Sequence, residues 1–203
     1  AYAQTGSLAQ NAIERKKDVD GLTAIDGAST VFGNGGAGLD TSDISSAAYR
    51  ITSNTTEHAP ASAPINAVFH GFQLADIDFQ LTTPGITAVS GAGIAEAQAG
   101  APLTSGIAAE AFQNRYRGTI AGARLFEDGN LTIDSGDDAK GGVFSQMALV
   151  LVEGRSPYVE TKRMPELGGG ATALYHYDEY AYGERSAGNW LVEVETDASA
   201  PTG

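Results

Sequence analysis

The chain has 203 residues, with 25 acidic against 12 basic side chains, a net charge of −13, 26 glycines and no cysteine. A chain of this length forms one domain or two small ones and buries enough surface to need no staples, and without cysteine it has no thiolate zinc site, thiol catalysis or redox switch. The acidic excess opposes generic binding to a phosphate backbone, and no apolar window or basic-then-apolar leader suggests a membrane span or a signal peptide.

Residues 6–25 read as a helix, with Leu8, Ala12, Val19 and Leu22 spaced by helical turns. Glu14, Arg15, Lys16, Lys17, Asp18 and Asp20 give it a charged outer face. A glycine loop, GNGGAG at 33–38, precedes Asp40 or Thr41 as cap of a second helix, in which Ile44, Ala47, Ala48 and Ile51 form a regular apolar stripe. A polar loop over 52–64 leads to a strand at 65–70. After Gly71 a third helix carries Leu74, Ile77 and Leu81 and stops at Pro84. Residues 85–106, mostly Ala, Gly, Thr and Ser, read as a surface excursion, and 107–116 as another helix.

From Gly118 the texture turns extended. Strands are expected at 119–126, 142–152 (with a helical turn possible inside), 157–164, 171–182 and 189–195. In the last, Trp190, Val192 and Val194 alternate with Leu191, Glu193 and Glu195, the pattern of a half-buried strand. The segments 157–164 and 171–182 flank Pro165, Glu166, Leu167 and Gly168, Gly169 and Gly170, and so form a hairpin with a projecting tip. Glu160 and Lys162 share one side while Thr161 and Arg163 take the other, leaving little to bury on the protein's own core. Two strands alone are barely stable in water, so neighbouring chains are expected to cover them.

Candidate chemistry is sparse. Gly33, Gly35 and Gly38 satisfy G-x-G-x-x-G, with Glu57 nineteen residues beyond the last, but no buried strand leads into the first glycine as a dinucleotide site requires. His176 and Asp178 share a strand face without an evident third ligand, and 134–138 (DSGDD) lacks the frame of a calcium loop. No hydrolase elbow, zinc motif or phosphate loop is present. Tyr158, Tyr175, Tyr177, Tyr180 and Tyr182 fit an interface or core better than a sugar platform. No catalytic, cofactor-binding or metal residue is assigned.

The order of segments resembles a family. AQNAIERKKDVDGL, a glycine loop, DTSDISSAAYRIT and INAVFHGFQLADIDFQL are followed by YRGTIAGARLFEDGNL, GGVFSQMALVLVEG, RSPYVETKRMPELGGGATALYHYDEYAYGER and NWLVEVETDA. The third segment is similar to the "strand, His, small residue, aromatic, Gln, helix" passage of tailed-bacteriophage major capsid proteins, whose Hong-Kong-type capsid fold is shared with encapsulins. The later segments look like that family's closing run. The resemblance implies an α+β capsid-type fold. Residues 1–28 would be a peripheral-domain spine helix, 29–152 a mixed sheet-and-helix axial domain, 153–188 the peripheral domain's long hairpin, and 189–203 a final strand returning to the axial domain with a tail.

The implied function is structural and not enzymatic: self-assembly into the icosahedral head of a tailed virus around double-stranded DNA. Implied partners are copies of itself in pentamers and hexamers, scaffolding, portal or decoration proteins, and packaged DNA without sequence-specific contacts, with no membrane and no cofactor. Its place would be the virion, after assembly in the host cytoplasm. The implied subunit interface comprises Glu160, Lys162, Arg163, Glu166, Gly168, Gly169 and Gly170. Family members also carry an N-terminal arm and an extended loop before the spine helix, which the sequence from Ala1 onward does not contain, so no lysine–asparagine cross-link is carried over. Two alternatives stay open: an encapsulin-like or other shell protein, and a nucleotide-binding enzyme using the loop at 33–38.

Overall fold

The computed structural model describes residues 2–53, 61–82, 118–167, 170–186 and 188–201. The expected excursion at 85–106, the helix at 107–116, most of the loop at 52–64, Glu57, Gly168 and Gly169 lie outside the described residues.

The first helix, α1, spans Tyr2–Asp26, longer at both ends than its apolar spacing indicates. Glycine inside a helix costs about 1 kcal/mol relative to alanine, yet Gly21 has a packing reason: a Cβ there would lie 3.4 Å from Cζ of Tyr182. After a short strand β1 (Val31–Asn34) comes α2 (Thr41–Ser53). Asp40 caps it: its Oδ1 accepts from Ser42 N at 3.0 Å, while Asp43 Oδ2 reaches back to Asp40 N at 3.1 Å. That reciprocal pair satisfies two of the orphan donors at a helix start. Ile44, Ala47, Ala48 and Ile51 are all buried, as their spacing demands. Then come β2 (Ile65–Phe69) and α3 (Gly71–Thr82).

The remaining strands are β3 (Thr119–Ile120), β4 (Ala123–Glu127), β5 (Asp138–Ser145), β6 (Leu149–Met164), β7 (Ala171–Glu184) and β8 (Leu191–Asp197). Six of the eight form one sheet in the order β1-β8-β5-β2-β4-β3, with β1/β8 and β2/β4 parallel and the other pairs antiparallel. Helices α2 and α3 cover one face, where Phe69, Leu74, Val143, Val192 and Val194 meet the α2 stripe. The C-terminal third of α1 covers the other, placing Leu22, Ile25 and Ala28 against Leu131, Trp190 and Leu191. β6 and β7 stand apart as a two-stranded ribbon. No helix among the described residues is long and apolar enough to cross a membrane.

Three strand expectations change. The segment 119–126 is two strands, because Ala121 and Gly122 adopt positive φ and turn the chain. The segment 142–152 belongs to two different sheets: Gln146 and Met147 form a turn, closed by Ala148 N donating to Ser145 O at 2.9 Å. Polar Ser145 and Gln146 mark the place where the sequence allows a turn, but the apolar residues on either side and the buried or half-buried strand ends do not show that the two strands part company there. The segment at 189–195 is not half-buried. β8 is a central strand with helices on both faces, so Leu191, Val192, Glu193 and Val194 are all buried. Alternation reads as one-sided burial only when one face meets water.

Candidate assembly surface

β6 starts at Leu149, eight residues before the sequence signals it, and its 16 residues span about 50 Å. Two irregularities interrupt its pairing with β7, between Glu153 and Arg155 and between Arg155 and Tyr158. Each inserts one extra residue and flips the pleat, so the second restores what the first reverses. Pro157, which has no N–H for a ladder, falls in the second interruption.

The register therefore sorts the ribbon into two faces. One carries Glu153, His176, Asp178, Tyr180 and Tyr182 and turns toward α1. Lys17 Nζ lies 2.8 Å from Asp178 Oδ2 and 3.1 Å from Glu153 Oε1, and these carboxylates, Asp178 foremost, raise its pKa. The Tyr180 hydroxyl donates to Asp20 Oδ2 at 2.8 Å. Burial first, and then that hydrogen bond, push the phenol up to about 12. Asp20 also pairs with Lys16, whose hydrogen bond is the main reason its carboxyl is lowered. The hairpin thus does pack on its own chain along one face, contrary to the expectation that it buries little there. A two-strand register cannot be seen to face a helix more than a hundred residues upstream.

Among the described residues, nothing covers the other face. At its base Val150 (40% exposed) pairs with Gly183, and Val152 (59% exposed) with Ala181. Further out the rings of Tyr158 and Tyr177 stack at 5.0 Å, Tyr177 and Tyr175 at 6.4 Å, and the Arg155 guanidinium lies 3.6 Å from the Tyr158 centroid. Glu160 pairs with Tyr175 and Lys162 with Ala173 on this face, while Arg163 pairs with Thr172 on the opposite one. The shared side expected for Glu160 and Lys162 is what the register gives. Glu166 lies in the short 3-10 turn Pro165–Leu167, and Gly170, at φ 89°, begins the return. The five tyrosines expected to cluster are split, three outward and two against α1.

The loop at 33–38 is unsuited to a phosphate. Gly36 N donates to Asp138 Oδ1 at 2.6 Å and, just past the loop, Leu39 N to Asp76 Oδ2 at 3.2 Å, so two of the chain's own carboxylates lie against it. Gly33 is glycine for a different reason: at φ 96° a Cβ would collide with the Glu195 carbonyl oxygen. Asp134 Oδ1 accepts from Gly136 N and Asp138 N at 2.7 and 3.0 Å, which makes 134–138 a self-satisfied acidic turn. Among the described residues, no three His, Asp or Glu side chains group to hold a metal ion.

One residue of the fold was missed as a structural determinant. Gln73 is fully buried, accepting from His70 N at 3.0 Å and donating to Ala139 O and Thr196 Oγ1, both at 2.8 Å. It ties α3 to β5 and β8. The sequence signal for it was the Gln at a core position of an amphipathic helix.

No protein-family model matches the chain, and no curated protein does. Two solved structures share its fold. A Mycobacterium phage Che8 structure superimposes with a TM-score of 0.63 at 20% identity, over 95% of this chain and 61% of that one. The capsid structure of the cyanophage P-SCSP1u gives 0.59 at 13% identity, over 98% and 67%. The chain thus spans about three-fifths of the mycobacteriophage chain it matches. With its helix-covered mixed sheet, its α1 and its ribbon, the chain has the α+β capsid-type fold found in these phage structures.

Proposed function

We propose that this chain is a major capsid protein whose copies assemble, through the ribbon, into the icosahedral head of a tailed phage enclosing double-stranded DNA. The observation that carries this reading is the ribbon face that stays uncovered among the described residues, with its valines and tyrosine stack, on a chain with the fold of a phage capsid structure. Packing on α1 supports one face of the two strands, and repeated copies of one molecule would bury the apolar and aromatic surface of the other. Individually weak contacts then sum over a closed shell. On this reading α1 and the ribbon form the peripheral unit (1–28 and 153–188), and the six-stranded sheet with α2 and α3 forms the axial one (29–152 with 189–203). Pentamers and hexamers, scaffolding, portal or decoration proteins, assembly in the host cytoplasm and an absence of catalysis belong to the same proposal.

Electron microscopy of the expressed chain tests it. Closed shells are expected, and a well-behaved monomer at high concentration refutes the reading. Within the shell, Lys162 and Arg163 are interface residues, so the charge-reversed double variant Lys162→Glu with Arg163→Glu is expected to fold with an unchanged melting temperature and fail to assemble. Normal particles from that variant would remove the tip from the interface. The encapsulin-like alternative is separated from the viral one by whether particles purified from their source contain DNA and carry a tail.

A further inference from the structure

The outward face of the ribbon changes character along its length. Val150 and Val152 stand at its base. At its middle Arg155 pairs across the strands with Glu179, next to the stacked rings of Tyr158 and Tyr177. Glu160 and Lys162 stand towards the tip. Arg155 and Lys162 balance Glu160 and Glu179, although the whole chain has a net charge of −13. A second copy of this acidic chain therefore approaches this face without net repulsion from it. The area also bears on the partner. Two strands about 5 Å apart and about 50 Å long present ~500 Å², less than the ~800 Å² that each partner buries in a standard stable complex. A contact of that size holds where many copies of it form together.

We propose that the occupant of this face is the same face of a second copy, related by a twofold axis that runs along the ribbon between the two sheets. Such an axis lays each strand over the opposite strand of the partner, so each residue meets the equivalent of its own cross-strand neighbour. Arg155 then meets the partner's Glu179, Tyr158 meets the partner's Tyr177, and Val152 meets the partner's Ala181, large against small. The reverse orientation, with the ribbons antiparallel, sets Val150 and Val152 against Glu160 and Lys162 and strips water from those charges without pairing them. Two sheets stacked about 10 Å apart, with strands within about 30° of each other, pack as in a β-sandwich. At that crossing angle the direct contacts centre on the middle of the ribbon. The tyrosines supply the buried area there, and the two Arg155–Glu179 pairs fix the register more than they add affinity. The inference rests on the assembly reading and adds to it which face meets which.

Mixing two charge reversals tests the pairing. Arg155→Glu and Glu179→Arg each set like charges across the axis, and each variant alone is expected to need about tenfold more protein to assemble, by light scattering. A 1:1 mixture restores opposite charges at both crossings and keeps the mean net charge of the wild type, so its threshold is expected within about twofold of the wild-type value. A role confined to one chain gives no such rescue, because every chain in the mixture still carries like charges on its own two strands. Both side chains are exposed, so the melting temperatures of the variants should match that of the wild type. Should either variant fail to fold, Arg155→Asp mixed with Glu179→Lys provides the same comparison. Variants that assemble like the wild type, or a mixture no better than its components, overturn the twofold pairing and leave the capsid reading standing on the wild-type shells. A wild type that forms no shells removes both.

Discussion

Gln73 and Glu193 show how single polar side chains work inside this core. Gln73 makes three hydrogen bonds in a fully buried position. Gln73→Leu keeps the volume and strands the Ala139 carbonyl and the His70 amide, so it should cost about 2–4 kcal/mol in urea unfolding. A cost under 0.5 kcal/mol would mean that water replaces the amide. Glu193 is 2% exposed, and its carboxyl is raised above its ordinary value chiefly by burial, with Lys140, 3.6 Å away, opposing the rise. The native state therefore holds that proton more tightly than the unfolded state. Stability falls as pH climbs from the ordinary carboxylate range through the raised native value, and the loss persists above it. Lys140→Met removes the opposing charge. It should cost about 1–2 kcal/mol at pH 7.5, discounted for the half-exposed lysine, and less at pH 5. Equal costs at both pH values would show that the pair is not felt by Glu193.

At the scale of elements, the approach of α1 to the sheet depends on a residue without a side chain. A Cβ on Gly142 would collide with the Ile25 side chain and lie 3.3 Å from the Val192 carbonyl oxygen. Gly142→Val should push α1 off β5 and β8, at about 2–3 kcal/mol for overpacking, and should loosen the ribbon that α1 carries. Unchanged exchange in β7 of that variant would separate the two contacts of α1. The ribbon owes its two-faced character to paired irregularities in β6. With only one of them, Tyr158 would point at α1 and the stack with Tyr177 could not form. Strand composition announced a long hairpin, but it did not announce the extra residues, because the stretch EGRSPY at 153–158 holds too few apolar residues for a flip in alternation to show.

For the whole molecule, charge and shape pull in opposite directions. A chain of net charge −13 repels its own copies, while its bare ribbon face favours association. Screening should shift that balance: raising salt from about 0.05 to 0.5 M shortens the Debye length to a few ångströms, so the protein concentration needed for assembly should fall severalfold by light scattering. A threshold that rises with salt would assign the contacts to attractive ion pairs rather than to apolar and aromatic surface.

The sequence alone determined the local elements: the α2 stripe with a cap at Asp40 or Thr41, β2, α3, the hairpin and the sidedness of Glu160 and Lys162. These follow from 3.6- and 2-residue periods and from turn residues, which act over a few neighbours. Its order of segments also resembled the fold later seen in phage structures. Only the tertiary structure decided that β8 is central, that 142–152 divides between two sheets, that Tyr180 and Tyr182 face α1 while Tyr158, Tyr175 and Tyr177 do not, and that the Asp138 and Asp76 carboxylates lie against the glycine loop. Each depends on which distant segment lies alongside, and long-range pairing is fixed by how buried faces fit in three dimensions, which no period along the chain encodes.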